Sequence, residues 1–208
     1  MRVRIKICGM TRAEDAAAAA QLGVDAVGMV FHAKSPRHVS IEQARSIVAG
    51  LPAFVTVTAL FMDPDAEMVH QVLNQTRVEL LQFHGGEAAE FCRSFGRPYM
   101  KAVPMGGQVD LAEYARRHTE AAALLLDSHA AGQQGGTGRA FDWSVIPKVD
   151  GPPLVLAGGL NPANVAAAIR TVRPYGVDVA SGVESAPGIK DPNKMAAFVQ
   201  EVNDVASA

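Results

Sequence analysis

Short apolar runs alternate along the chain with longer stretches in which apolar residues recur every three or four positions, and Gly, Pro, Asn or Asp marks most junctions. The short runs predict strands over residues 3–8, 26–30, 55–61, 78–83, 99–103, 123–127, 154–157 and 177–179. The amphipathic stretches predict a helix after each strand, beginning near Arg12, Ile41, Asp65, Ala88, Leu111, Asp142, Pro162 and Asn193, with Ser40, Asp63, Asp110 and Asn161 as capping residues. Eight strand–helix units without an antiparallel hairpin signal predict a compact (β/α)8 barrel of the α/β class; a doubly wound open sheet with extra strands gives a similar string. No linker, low-complexity tract or composition shift interrupts the pattern, so residues 1–208 read as one barrel domain.

Charge narrows the partners. Charged residues make up 19% of the chain and the formal net charge is -2, so no basic field points to nucleic acid or an anionic membrane surface. No apolar run approaches the ~20 residues that span a bilayer. The alanines from Ala16 to Ala20 are followed by Gln21 and Gly23 and read as a helix. Two cysteines, Cys8 and Cys92, make no disulfide framework, and Met1-Arg2-Val3-Arg4 alternates charge with apolar residues where a signal peptide would turn apolar. A cytoplasmic protein with a small-molecule partner is expected.

In parallel α/β folds ligands bind at the C-terminal ends of the strands, so chemistry-bearing residues at those ends carry the most weight. Cys8 ends the first strand and is placed to act on a substrate, although cysteine in most proteins is a small buried hydrophobe. After the second strand, Ser35-Pro36-Arg37 presents a guanidinium that can grip a carboxylate or phosphate in two parallel bonds, or serve only as a solvated loop residue. Asp127 ends the apolar run Leu124-Leu125-Leu126, where a low-dielectric wall favours its protonated form; a cap or ion-pair role is equally open. The glycine-rich residues 135–138 can fold over a ligand as a lid. Gly158 and Gly159 after the seventh strand, with Ser181 and Gly182 after the eighth, form paired small-residue turns suited to phosphate.

These motifs, in order, resemble the phosphoribosylanthranilate isomerase family. The likeness runs from Lys6 to Asp191 through Lys6-Ile7-Cys8-Gly9, Asp25-Ala26-Val27-Gly28, Ser35-Pro36-Arg37, Gln82-Phe83-His84-Gly85, Leu126-Asp127-Ser128, Gly135-Gly136-Thr137-Gly138, Ala157-Gly158-Gly159-Leu160-Asn161-Pro162 and Gly176 to Glu184. Phe83 stands where an aliphatic residue is expected, Met29 where an aromatic is, and Ala180 where serine is common. The resemblance implies an Amadori rearrangement of N-(5-phosphoribosyl)anthranilate to 1-(2-carboxyphenylamino)-1-deoxyribulose 5-phosphate in tryptophan biosynthesis. It casts Asp127 as general acid, Cys8 as the base that removes the C2 proton, and Arg37 as partner of the anthranilate carboxylate. Phosphate falls to Gly158, Gly159, Ser181 and Gly182, and Asp178 is assigned a ribose hydroxyl or a structural role. No cofactor and no metal are implied, and a monomer is expected. A metal-dependent sugar-phosphate epimerase, a non-catalytic phosphosugar-binding module and the histidine-pathway aminoaldose isomerase remain as rivals.

Overall fold

The computed structural model describes residues 2–107, 109–128 and 142–207. Eight parallel strands close into a barrel in sequence order: β1 (Arg4–Cys8), β2 (Ala26–Val30), β3 (Thr56–Phe61), β4 (Leu80–Phe83), β5 (Tyr99–Pro104), β6 (Ala123–Asp127), β7 (Leu154–Leu156) and β8 (Gly176–Val179). Closure comes from β1 pairing with β8, with Lys6 opposite Asp178 and Ile7 opposite Val179, which rules out the open sheet. Helices α1 (Ala13–Gln21), α2 (Ile41–Ala49), α3 (Ala66–Gln75), α4 (Ala89–Arg93), α5 (Leu111–Arg117), α6 (Val165–Val172) and α7 (Pro192–Ser207) follow their strands.

Local sequence explains most of these boundaries. Ser40 caps α2 through a reciprocal box with Gln43, and Asp65 and Asp110 cap α3 and α5 by accepting from the third backbone N–H. Asp63 is not the cap expected of it. Its backbone turns left-handed (φ 49°), and its carboxylate accepts instead from the Gly86 N–H, tying the loop after β3 to the loop after β4. Asn161 accepts from Ala163 one turn ahead of α6, whose flanking residue is Asn164.

Two further expectations are corrected. The helix predicted from Asp142 is a single 3-10 turn, Trp143–Val145; Pro147 has no N–H to continue it and holds Ile146 extended. An antiparallel hairpin does exist, β9 (Glu184–Ala186) with β10 (Ile189–Lys190), turned by Pro187-Gly188. That Pro-Gly dipeptide is a turn signal the strand count passed over.

Strand alternation sorts the core into two parts. Outward residues such as Ile5, Ile7, Val27, Val57, Leu81, Leu124 and Val177 pack under the helices. Phe83 joins an aromatic cluster there, stacked on Phe61 and edge-on to Phe91, so an aromatic is accommodated where an aliphatic was expected. The barrel interior is apolar on one side only, with Met100, Ala102, Ala123, Leu125, Val155 and Ala157 in contact. The other side carries the buried polar residues Lys6, Thr58, Gln82 and Asp178.

Candidate active site

A cleft opens at the C-terminal ends of the strands. Cys8, Arg37, Asp127, Gly158, Gly159, Asp178 and Ser181, all singled out from sequence, line it together with His32, Gln82 and His84.

Cys8 sits above a polar floor. Period two on β1 places Lys6 on the same inward face, where its Nζ donates to Asp178 Oδ2 at 2.9 Å. Both side chains are about 6% exposed. Burial pushes the Cys8 thiol above its ordinary value, while Lys6 and Lys190 pull it down and Asp178 adds to the rise. The strand end therefore supplies the positive charge expected there, but desolvation outweighs it. Burial also opposes the charge on Lys6; Asp178 overcomes that and raises the ammonium's pKa. Gly28 opposite Cys8 makes the space: a Cβ there would lie 2.8 Å from the sulfur and 3.0 Å from the Lys6 nitrogen.

Asp127 is buried and belongs to a hydrogen-bonded row. His84 Nε2 lies 3.1 Å from Asp127 Oδ2, and the amide nitrogen of Gln82 lies 3.3 Å from His84 Nδ1. With that amide donating, the ring accepts at Nδ1 and donates from Nε2 to the carboxylate. Gln82 and His84 share a face of the chain two residues apart, a spacing legible in the sequence but given no role there.

Arg37 is not a solvated loop residue. Its Nε and Nη2 grip both oxygens of Glu184 at 2.8 and 2.7 Å, two of the five N–H groups in the fork. Lys190 takes Glu184 from the other side at 2.8 Å and also donates to the carbonyls of Cys8 and Ala180. The hairpin β9–β10 thus ties Arg37, the end of β1 and the end of β8 into one cluster. Gly9 is needed for it: at φ +77°, its missing Cβ would lie 2.5 Å from the Arg37 Cδ. The sequence held no sign that Glu184 and Lys190, themselves six residues apart, serve the site, because Arg37 lies 147 residues from Glu184 and Cys8 lies 182 from Lys190.

The loops after β7 and β8 face each other across the cleft. The backbone N–H groups of Gly158, Gly159, Ser181 and Gly182 donate to no protein acceptor among the described residues. Gly182 lies behind the rim, where a Cβ would collide with the Leu160 carbonyl oxygen; its smallness lets the two loops meet. The lid expected at residues 135–138 falls outside the described residues. Among those residues no group of three or more His, Cys, Asp or Glu side chains is arranged to hold a metal ion.

A sequence model of the N-(5'-phosphoribosyl)anthranilate isomerase family matches residues 5–201. The chain belongs to that family. Isomerases of this name from Nitrosococcus oceani and Halorhodospira halophila are 52% and 53% identical, covering 99% and 97% of the chain and 100% and 97% of their own lengths. The crystal structure of phosphoribosyl anthranilate isomerase from Thermotoga maritima is 41% identical, with a TM-score of 0.88 over 97% of this chain and 99% of its own. Another crystal structure, 38% identical with a TM-score of 0.82 and covering 97% of this chain and 99% of that one, shows a family member in complex with reduced 1-(o-carboxyphenylamino)-1-deoxyribulose 5-phosphate. Family membership gives the epimerase, binding-module and histidine-pathway readings no support. No described helix is long and apolar enough to cross a membrane.

Proposed function

We propose that the chain is a phosphoribosylanthranilate isomerase of tryptophan biosynthesis, working in the cytoplasm on a phosphosugar. It converts N-(5'-phosphoribosyl)anthranilate to 1-(2-carboxyphenylamino)-1-deoxyribulose 5-phosphate. Beyond membership of the family, the observation that carries this reading is the convergence of Cys8, Asp127 and Arg37 on one cleft that ends in the unpaired N–H groups of the loops after β7 and β8.

The substrate lies with its phosphate on the backbone of Gly158, Gly159 and Ser181, with Gly182 closing the turn behind, and its anthranilate carboxylate on the N–H groups that Arg37 does not commit to Glu184. Protonated Asp127 gives its proton to the ring oxygen, the ring opens, and the anthranilate nitrogen becomes an iminium. The row Gln82–His84 holds the carboxyl group at Oδ2. The iminium acidifies the C2 proton, which the Cys8 thiolate takes as base; the enolamine then tautomerises to the ketone. Asp178, whose Oδ1 has no partner among the described residues, accepts from a ribose hydroxyl.

The test is turnover of freshly prepared N-(5'-phosphoribosyl)anthranilate, followed by its loss of fluorescence. Wild type turns it over, and activity persists in EDTA. Asp127→Asn loses nearly all kcat while keeping its fold; a folded Asp127→Asn enzyme with near wild-type turnover overturns the acid assignment.

A further inference from the structure

A buried ammonium is an unfavourable way to build a barrel floor. The opposite half of the same interior is filled by Ala102, Leu125 and Val155, so apolar packing is available to this fold at that depth. Replacing a buried ion pair by apolar residues is often neutral or stabilising, which makes retention of Lys6 and Asp178 a pointer to function. Lys6 does not line the cleft and is almost wholly buried. What it does reach is Cys8, two residues along the same strand face: the empty position at Gly28 has the sulfur and the ammonium on its border at 2.8 and 3.0 Å.

We propose that Lys6 is a positioning residue for proton abstraction: clamped on Asp178, its ammonium favours the thiolate form of the buried Cys8 sulfur beneath the reacting carbon. The sulfur's proton leaves to solvent before substrate closes the cleft. The C–H bond at C2 then breaks, its electron pair stays with the enolamine, and the proton forms the new S–H bond. The charge at Lys6 is unchanged throughout, so it stabilises the anion before transfer without taking part. Around the sulfur, Lys6 faces it from β1, Asp178 from β8, Lys190 from β10 and Arg37 from the loop after β2, with His84 and Asp127 lining the same cleft from the loop after β4 and from β6. Among these, Lys6 acts most strongly in the thiolate's favour, and the Lys190 ammonium is committed to Glu184 and two carbonyls.

This inference rests on Cys8 being the base, and its test reads the thiol without substrate. Alkylation of the free enzyme by iodoacetamide, located on the Cys8 peptide by mass spectrometry, is followed across the neutral and alkaline range. Loss of an opposite charge in contact shifts a pKa by about 1–3 units, so Lys6→Gln should slow Cys8 alkylation at neutral pH by roughly tenfold or more and move its midpoint to higher pH. Lys6→Arg should keep most of the rate. Turnover of Lys6→Gln should fall at neutral pH and recover in part as pH rises, which a merely structural lysine would not produce. Should Lys6→Gln fail to fold with Asp178 left unpaired, the Lys6→Gln/Asp178→Asn double variant substitutes a neutral hydrogen-bonding pair, and its Cys8 midpoint should still lie above wild type. A midpoint at or below wild type in either folded variant overturns the role of Lys6, whereas a Cys8→Ser enzyme that keeps its turnover overturns the reading of Cys8 itself.

Discussion

Cys8 and Arg37 show how one side chain acquires a chemical role from neighbours it cannot choose locally. The thiol is pushed up by burial and held down by two lysines, so its basicity is a balance that serine cannot reproduce. Cys8→Ser should keep its fold and product affinity but lose about 10²–10⁴-fold in kcat, the usual contribution of a positioned base. More than about a tenth of wild-type kcat in steady-state kinetics would remove Cys8 from that role. For Arg37, Ala should weaken binding of the carboxylate-bearing product by roughly 1.5–3 kcal/mol in calorimetry, with Lys restoring only part because an ammonium lacks the planar fork. Ribulose 5-phosphate, which keeps the phosphate end but has no carboxylate, should bind wild type and Arg37→Ala nearly alike. Equal losses for both ligands would place Arg37 at the phosphate or in loop shaping.

At the scale of elements, the site is assembled from strand ends braced by a hairpin. The Arg12–Asp15 pair at the start of α1 receives the Lys190 N–H, so α1, β10 and Glu184 are joined before the arginine is reached. Gly9 lies at the centre of this assembly; Gly23, with nearly the same left-handed backbone, lies outside it, and a Cβ there would meet nothing within 4 Å. The two give a matched comparison. Gly23→Ala should cost about 1–2 kcal/mol of stability in urea unfolding, the ordinary penalty of that backbone region, and leave KM unchanged. Gly9→Ala should cost at least as much and also raise KM, because its methyl displaces the Arg37 stem. An unchanged KM in Gly9→Ala would mean that the arginine is free to find another path to the ligand.

For the molecule as a whole, stability carries a pH signature away from the cleft. His118, packed against Tyr99 and Tyr114, has its pKa lowered to about 4 by burial, aided by Lys101. The unfolded chain therefore binds the extra proton first as pH falls through the window between the ordinary histidine value and about 4, and stability should drop across it by about 2–3 kcal/mol. His118→Gln should flatten that slope in urea titrations, and a slope identical to wild type would assign the acid sensitivity elsewhere.

Alternation of apolar strands and amphipathic helices determined the barrel, because side-chain period is a local property and the crossover from one parallel strand to the next needs a helix of the kind the chain supplies. The ends of those strands likewise marked Cys8, Asp127 and the loops after β7 and β8, since a residue's place at a strand end can be read from its immediate neighbours. Lone side chains gave no account of what each would be bonded to. Arg37 meets Glu184 across 147 residues, Lys6 meets Asp178 across 172, and His84 meets Asp127 across 43. Barrel closure brings Asp178 on β8 beside Lys6 on β1, and burial closes round the Cys8 sulfur, so the state of this thiol was decided by tertiary structure as well as by its strand neighbour: electrostatic energy depends on distance in space and on burial, neither of which follows from distance along the chain.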